Sequence, residues 1–322
     1  MATTGEDVNK SINQPAWEGG EITPVLPSAG LDNRRMDITF KFGEKDAEGN
    51  EVFTIFDESF TIKVNIKKDS LLKIGTSATV EIFNLLPDTR NWILGAFNAF
   101  RARKRATPFV PITIEIGRQS DTNLRRVFIG AVITAEATMP PDIGIRFICA
   151  ESQNDKTKLI GYNTEDAMPT FTEYRDFAAW CAKQLQLTLV YEAQDRKVVD
   201  PPIPFTVEGL VGILQLYYNT DISVYIDDIY LYVKDIDKAL NGPIVVLSAE
   251  NGLIGIPSQG GFGVTFQCLA DTPIKLGGGV RLTSVRNPNT SGDYTCGSIT
   301  YDLETRGNNW SSSVFAFPAG GD

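Results

Sequence analysis

The sequence contains no histidine. That single absence removes Ser-His-Asp and Cys-His nucleophile systems and every zinc site that depends on imidazole. Only four cysteines occur, Cys149, Cys181, Cys268 and Cys296. They are far apart and never form a CxxC pair, so they read as free buried thiols rather than a disulfide framework or a Cys₄ metal cluster. No run of about 18 apolar residues is present, so no membrane-spanning helix is expected. The first residues lack the basic stretch and apolar core of a signal peptide. Positive charge is also in deficit: 30 Lys and Arg stand against 40 Asp and Glu, a net charge of −10. A dedicated nucleic-acid binder needs the opposite balance to neutralise phosphate.

What is present is mostly strand. The chain has 322 residues, enough for two or three domains, and its 42% hydrophobic content is ordinary for a globular protein. Residues 1–33 are polar, rich in Gly and Pro, and lack periodicity; they read as an extended arm or a disordered terminus. From Met36, "DITFKF", "FTIFDESFTIKVNIKK" and "ATVEIFNL" alternate in the period of a half-buried strand. Pro87-Asp88 then opens a helix whose apolar stripe is Trp92, Ile93, Ala96, Phe97 and Phe100. "PITIEIG", "RRVFIGAVITAEATM" and "IGIRFICAE" return to strand. Residues 36–151 are therefore expected to be antiparallel β with one helix, as a sandwich or barrel.

The period changes after Pro169. Thr170 and Glu173 have capping-box spacing, and Tyr174, Phe177, Ala178, Cys181 and Leu185 follow helical spacing. "LTLVYE" predicts a strand, "TVEGLVGILQLYYN" a helix, and "ISVYIDDIYLYV" a hairpin turning at Asp227-Asp228. The order α-β-α-β-β describes a small α+β unit. Beyond Asn241-Gly242, "PIVVLSA", "GVTFQCLA" and "VRLTSV" are strand-like. The chain then runs through "GDYTCGSITYDLETRGNNWSSSVFAF", two alternating runs around a charged turn, which predicts a hairpin.

Chemistry finds little purchase. Asp227-Asp228 and Asp235/Asp237 are the closest carboxylate pairs for glycoside cleavage, and turn chemistry accounts for them as well. "DAEGNE" at 46–51 lacks the spacing and distal Glu of an EF-hand and reads as a hairpin turn. "LGGGVRL" at 276–282 lacks the Gly-Lys-Ser/Thr of a phosphate loop. Tyr225, Tyr230 and Tyr232 could bind a sugar, but cross-strand pairing explains them. No cofactor or metal is expected. The basic run Arg101, Arg103, Lys104, Arg105 reads either as an inter-subunit docking patch or as a solvated helix end complementing the dipole.

Three stretches in this order carry a resemblance. "VEIFNLLPDTRNWI", "ENGLIGIPSQGGFGVTFQCLADTPIKLGGGVRLTS" (with a "GLIG-P" turn) and the closing hairpin with its Thr305-Arg306-Gly307 turn are similar to segments of bacteriophage tail baseplate hub proteins. The resemblance covers roughly residues 36–318. Family members often carry a histidine before that last turn; Tyr301 fills the place here.

The resemblance implies an α+β, mainly β fold: two tail-tube-like antiparallel β barrels or sandwiches with a small inserted α-β-α-β-β domain. The corresponding divisions are an arm over 1–35, a first tube-like domain over 36–164, the insert over 165–240 and a second tube-like domain over 241–322. It further implies a non-enzymatic homotrimeric ring in the virion tail, assembled in the host cytoplasm. That ring joins a six-fold tail tube, or tube-initiator protein, to a three-fold central spike. Baseplate wedge or sheath-side proteins are further partners, and DNA passes through the lumen without specific binding. The competing class is a tail-associated cell-wall-degrading or carbohydrate-binding protein.

Overall fold

The structure is a computed structural model, and it describes residues 33–42, 54–70, 76–97, 110–140, 142–151, 170–199, 201, 208–218 and 220–320. The expected arm up to residue 32, the "DAEGNE" turn and the basic run Arg101, Arg103, Lys104 and Arg105 lie outside the described residues. Among the described residues, no helix is long and apolar enough to cross a membrane.

The first β region contributes β1 (Arg34–Phe40), β2 (Thr54–Phe56), β3 (Thr61–Asp69), β4 (Ser77–Phe83), β5 (Val110–Arg118), β6 (Arg125–Ala137) and β7 (Gly144–Ala150). Helix α1 (Pro87–Ala96) follows β4 and starts with the expected proline. The last region contributes β11 (Val245–Leu247), β12 (Leu253–Gln259), β13 (Val264–Leu269), β14 (Gly279–Leu282), β15 (Gly292–Glu304) and β16 (Trp310–Pro318). Between them lie α2 (Tyr174–Leu185), β8 (Thr188–Glu192), α3 (Glu208–Tyr217), β9 (Ile222–Asp227) and β10 (Tyr230–Asp235). The protein is mainly β.

The strands of the two outer regions do not close into barrels. They hydrogen-bond into one 13-stranded sheet whose path runs β12-β13-β16-β15-β3-β4-β7-β6-β5-β1-β2, with β14 and β11 off β15. The join is β3 against β15, antiparallel from Ser298↔Asp69 to Glu304↔Lys63. The physical reason is edge pairing: an open strand edge carries unsatisfied N–H and C=O groups, and two long strands satisfy each other's. One hydrophobic cluster accordingly spans both regions, from Met36 and Phe128 to Tyr301 and Val314.

The expected closing hairpin is present as β15 and β16. Its alternation is not uniform. The register shifts between Cys296 and Ser298, so Tyr294 and Cys296 before the bulge share the core face with Ile299, Tyr301 and Leu303 after it. Gly297 sits at the shift, where an added Cβ would lie 2.5 Å from the Phe317 ring. The "GLIG-P" stretch, expected as a turn, is strand β12 instead, with Gly255 at φ 72° where its own register shifts.

Helix α1 buries Ile93 fully, and Trp92 packs edge-on against Phe42 at 4.8 Å between ring centroids. Phe97 meets Phe147 at 6.1 Å. Phe100 of the expected stripe lies outside the described residues.

In the central unit, β8, β10 and β9 form a separate three-stranded sheet. Tyr174, Phe177, Ala178, Cys181 and Leu185 of α2 are all buried, with Leu210 and Leu214 of α3, in a second hydrophobic cluster. The capping box does not form. Helix α2 begins at Tyr174, so Glu173 is itself the cap residue, and it makes no side-chain cap hydrogen bond. Its backbone is extended because it bridges to Lys197, which displaces the helix start by a turn from where Thr170 would cap it.

Candidate functional site

Two features of this fold face function. The first is the side of the long sheet turned away from the core. Pairing register places residues of both β regions in continuous rows across it. Gln267, Ser313, Thr300, Lys67 and Ser77 form one row. Ser311, Asp302, Asn65, Thr79, the half-exposed Ile148 and Thr134 form the next. Glu304, Lys63, Glu81, Arg146 and Glu136 form a third. Alternation dictates this: Ile62, Val64 and Ile66 point into the core, so Lys63, Asn65 and Lys67 point out. The three rows carry three cations and four carboxylates among hydroxyl and amide side chains. Lys63 pairs loosely with Glu304 at 3.8 Å and Arg146 with Glu81 at 2.7 Å. The surface is thus hydrated, nearly neutral and without a cationic stripe.

The second feature is the seam where the central unit meets the long sheet. Lys68 continues the core-facing series of β3 and is 7% exposed. Its ammonium donates to Asp227 Oδ1 at 2.6 Å and lies 3.5 Å from Asp228 Oδ1. Arg126 approaches Asp228 Oδ2 at 3.4 Å. Asp228 holds a left-handed φ of 56°, which Asp tolerates at a hairpin turn. Burial works against the Lys68 charge, yet the two carboxylates hold its pKa above the ordinary lysine value. Burial raises the Asp227 carboxyl, and Lys68 opposes that rise.

Tyr225 of β9 completes the seam: its hydroxyl donates to the Leu276 carbonyl at 3.0 Å. Gly277 follows, at φ 74°, where an added Cβ would stand 2.0 Å from that hydroxyl. The Gly-rich stretch is therefore a tight approach of the Tyr225 side chain to the backbone at Leu276 and Gly277. Tyr225 stacks on its cross-strand partner Tyr232 at 5.1 Å, the pairing expected for these tyrosines.

Neither carboxylate pair is arranged for acid–base catalysis. Asp227 and Asp228 are occupied by Lys68 and Arg126, and Asp235 is held by Arg196 at 3.5 Å and Lys238 at 3.2 Å. Among the described residues no group of His, Cys, Asp and Glu could hold a metal. All four cysteines are buried and free.

One residue near the seam escaped the sequence reading. Glu151 is 4% exposed; its Oε2 accepts from the Thr76 amide at 2.9 Å while its Oε1 has no partner. Burial pushes its pKa to about 8, with the Asp227 charge adding to the rise and the Thr76 hydrogen bond and Lys68 opposing it. A carboxyl raised in the folded state favours folding through its bound proton. That contribution is complete below the ordinary value of 4.5 and is lost as pH rises to about 8. Glu151→Gln keeps the neutral shape and cannot ionise. Its melting temperature should match the parent at pH 4.5 and exceed it by a margin that widens up to pH 8, at roughly 2–4 °C per kcal/mol. Parallel thermal melts of the two proteins across this range check it; a constant gap would show Glu151 hydrated.

Comparison with known proteins agrees with this structural character. No curated protein matches the chain. A tail protein from Neisseria meningitidis MC58 shares the fold with a TM-score of 0.54 at 9% identity, covering 88% of this chain and 97% of that one. The 43 kDa tail protein of prophage MuSo2 from Shewanella oneidensis aligns with a TM-score of 0.52 at 11% identity, covering 88% and 96%. The model of the family described as "Baseplate hub gp41" matches residues 35–316. With nearly its whole length inside that match, the chain belongs to the Baseplate hub gp41 family, structural proteins of the phage tail baseplate and not enzymes.

Proposed function

We propose that three copies of this chain form the hub ring that joins a six-fold tail tube to a three-fold spike, with the polar face of the long sheet turned to the DNA channel. The observation that carries the reading is that face. Strands from both β regions contribute to it, and its rows combine Ser, Thr, Asn and Gln with nearly balanced charge. A cationic wall would hold DNA by phosphate contacts and slow its passage; a hydrated, slightly acidic one does not.

In this reading residues 36–164 and 241–322 act as the two tube-like units of each subunit, so three chains offer six near-equivalent surfaces to the tube. Residues 165–240 hang outside the ring. The N-terminal segment and the run Arg101, Arg103, Lys104, Arg105 contact neighbouring tail proteins, where an acidic partner surface would complement the run.

The test is a triple substitution, Thr300→Lys, Ser311→Lys and Ser313→Lys, carried into assembled tails. These positions are on the water-facing side and outside the hydrophobic core. Tails should assemble with normal three-fold hub density in electron-microscopy class averages, while DNA ejection slows and regains speed as salt rises. Unchanged ejection from normally assembled tails would remove this face from the channel.

A further inference from the structure

A cleft of about 670 Å³ lies where the two β regions meet at the start of β1, lined by Arg34, Arg118, Arg306, Glu58 and Trp310. Its three guanidinium groups differ in state. Arg118 is spent on Asp271, donating from Nε at 2.7 Å. Among the described residues Arg34 donates only to backbone carbonyls, Gly307 at 2.7 Å and Glu304 at 3.4 Å, and it lies over the Trp310 ring at 5.5 Å. Arg306 donates to the Ser59 carbonyl at 2.7 Å and is exposed. A carbonyl accepts a hydrogen bond but supplies no counter-charge. The cleft thus presents two cations, pre-oriented by stacking and by backbone acceptors, with Glu58 as the one carboxylate lining it among the described residues. A guanidinium held in this way has N–H groups left for a carboxylate fork.

The occupant can be read from the chain. Asn33 also lines the cleft, and the 32 residues that precede it in sequence are joined to the chain at this point. That segment carries Glu6, Asp7, Glu18, Glu21 and Asp32 against a single Lys10. It is the acidic counterpart of the cleft, and tethering gives it an effective concentration of the order of millimolar before any contact forms. Glu21 is 12 residues from Asn33, within about 40 Å of extended chain, so both Glu21 and Glu18 reach the two arginines when the segment folds back.

We propose that this cleft seats the chain's own residues 18–32, with their carboxylates on Arg34 and Arg306. Docking there would cover the seam between the two β regions and fix the direction in which residues 1–17 leave the subunit. The proposal rests on the charge and position of the cleft and is independent of the channel reading.

Hydrogen exchange of the full-length isolated chain tests it. At low salt, amides of residues 18–32 should exchange about tenfold or more slowly than in two variants. One factor of ten corresponds to about 1.4 kcal/mol, within the worth of a single charge-assisted hydrogen bond. The variants are Arg306→Glu, and Glu18→Gln with Glu21→Gln and Asp32→Asn. The second leaves the sheet untouched, so its loss of protection reports docking and not misfolding. Protection should also vanish near 1 M salt, where screening acts over about 3 Å. Exchange at the intrinsic rate in the parent protein, or protection indifferent to both variants, overturns the proposal. Protection that grows with protein concentration also overturns it, because it would place the segment of a second copy in the cleft.

Discussion

Lys68→Met should destabilise the protein by about 3–5 kcal/mol, the usual result of removing one partner from a buried ion pair. The cost is the charge left behind. Asp227 and Asp228 face a site in which Lys68 is 7% exposed and each carboxylate 16%. Without the ammonium, the remaining ion pair to them among the described residues is Arg126, at 3.4 Å from Asp228 and itself 39% exposed. Glu151, whose carboxyl burial pushes up and Lys68 lowers, loses that opposing charge as well. The same reasoning gives a second result that a packing explanation does not. Lys68→Met combined with Asp227→Asn should recover most of the loss, since the pair is removed rather than broken. Chemical denaturation of the three proteins measures both. A loss below about 1 kcal/mol for the single variant would mean that the seam is open to water and the ion pair is worth no more than an exposed one.

That cluster also marks where sequence reading stopped. Asp227-Asp228 is a plausible turn from its local sequence, and it is a turn. Its partner Lys68 lies 159 residues away and looks, in the run "NIKKD", like any exposed lysine at a strand end. Strand alternation revealed its face only if the strand's register against the core was known. Helix α2 shows the opposite case: Tyr174, Phe177, Ala178, Cys181 and Leu185 are readable because a 3.6-residue period is local, and all five are buried. The cap was misplaced because an extended bridge from Glu173 to Lys197, a tertiary contact, took precedence over local capping.

The join of β3 to β15 was invisible for the same reason as Lys68. Two self-contained β regions and one shared sheet have identical strand patterns; only the pairing of edges distinguishes them, and pairing is non-local. The bulge at Cys296–Ser298 had a readable trace, a glycine inside a strand, which marks a bulge or a close approach of another group. Gly297 does both, since the Phe317 ring fills the space of its missing Cβ.

The shared sheet makes a further large effect expected at its opposite margin. Asp271 follows β13 and accepts from Arg118 at the end of β5 and from Trp310 Nε1 at the start of β16, at 2.7 and 2.8 Å. Arg118 is 5% exposed and the Asp271 side chain 8%. Around them Arg125 donates to the Ala270 carbonyl at 2.5 Å, so the margin of the first β region is tied to the last one by side chains and not by strand pairing. Asp271→Ala removes the buried carboxylate that both the Arg118 guanidinium and the Trp310 indole N–H donate to. It should cost about 3–5 kcal/mol and shift the Trp310 contribution to fluorescence. Adding Arg118→Met should then restore stability relative to Asp271→Ala alone, although Arg118 on its own is a large, well-packed side chain whose loss would ordinarily add to the damage. The sign of that second step separates charge from packing. If the double variant is the less stable of the two, the clamp works by packing, and loss of the carboxylate charge beside Arg118 is not what destabilises Asp271→Ala.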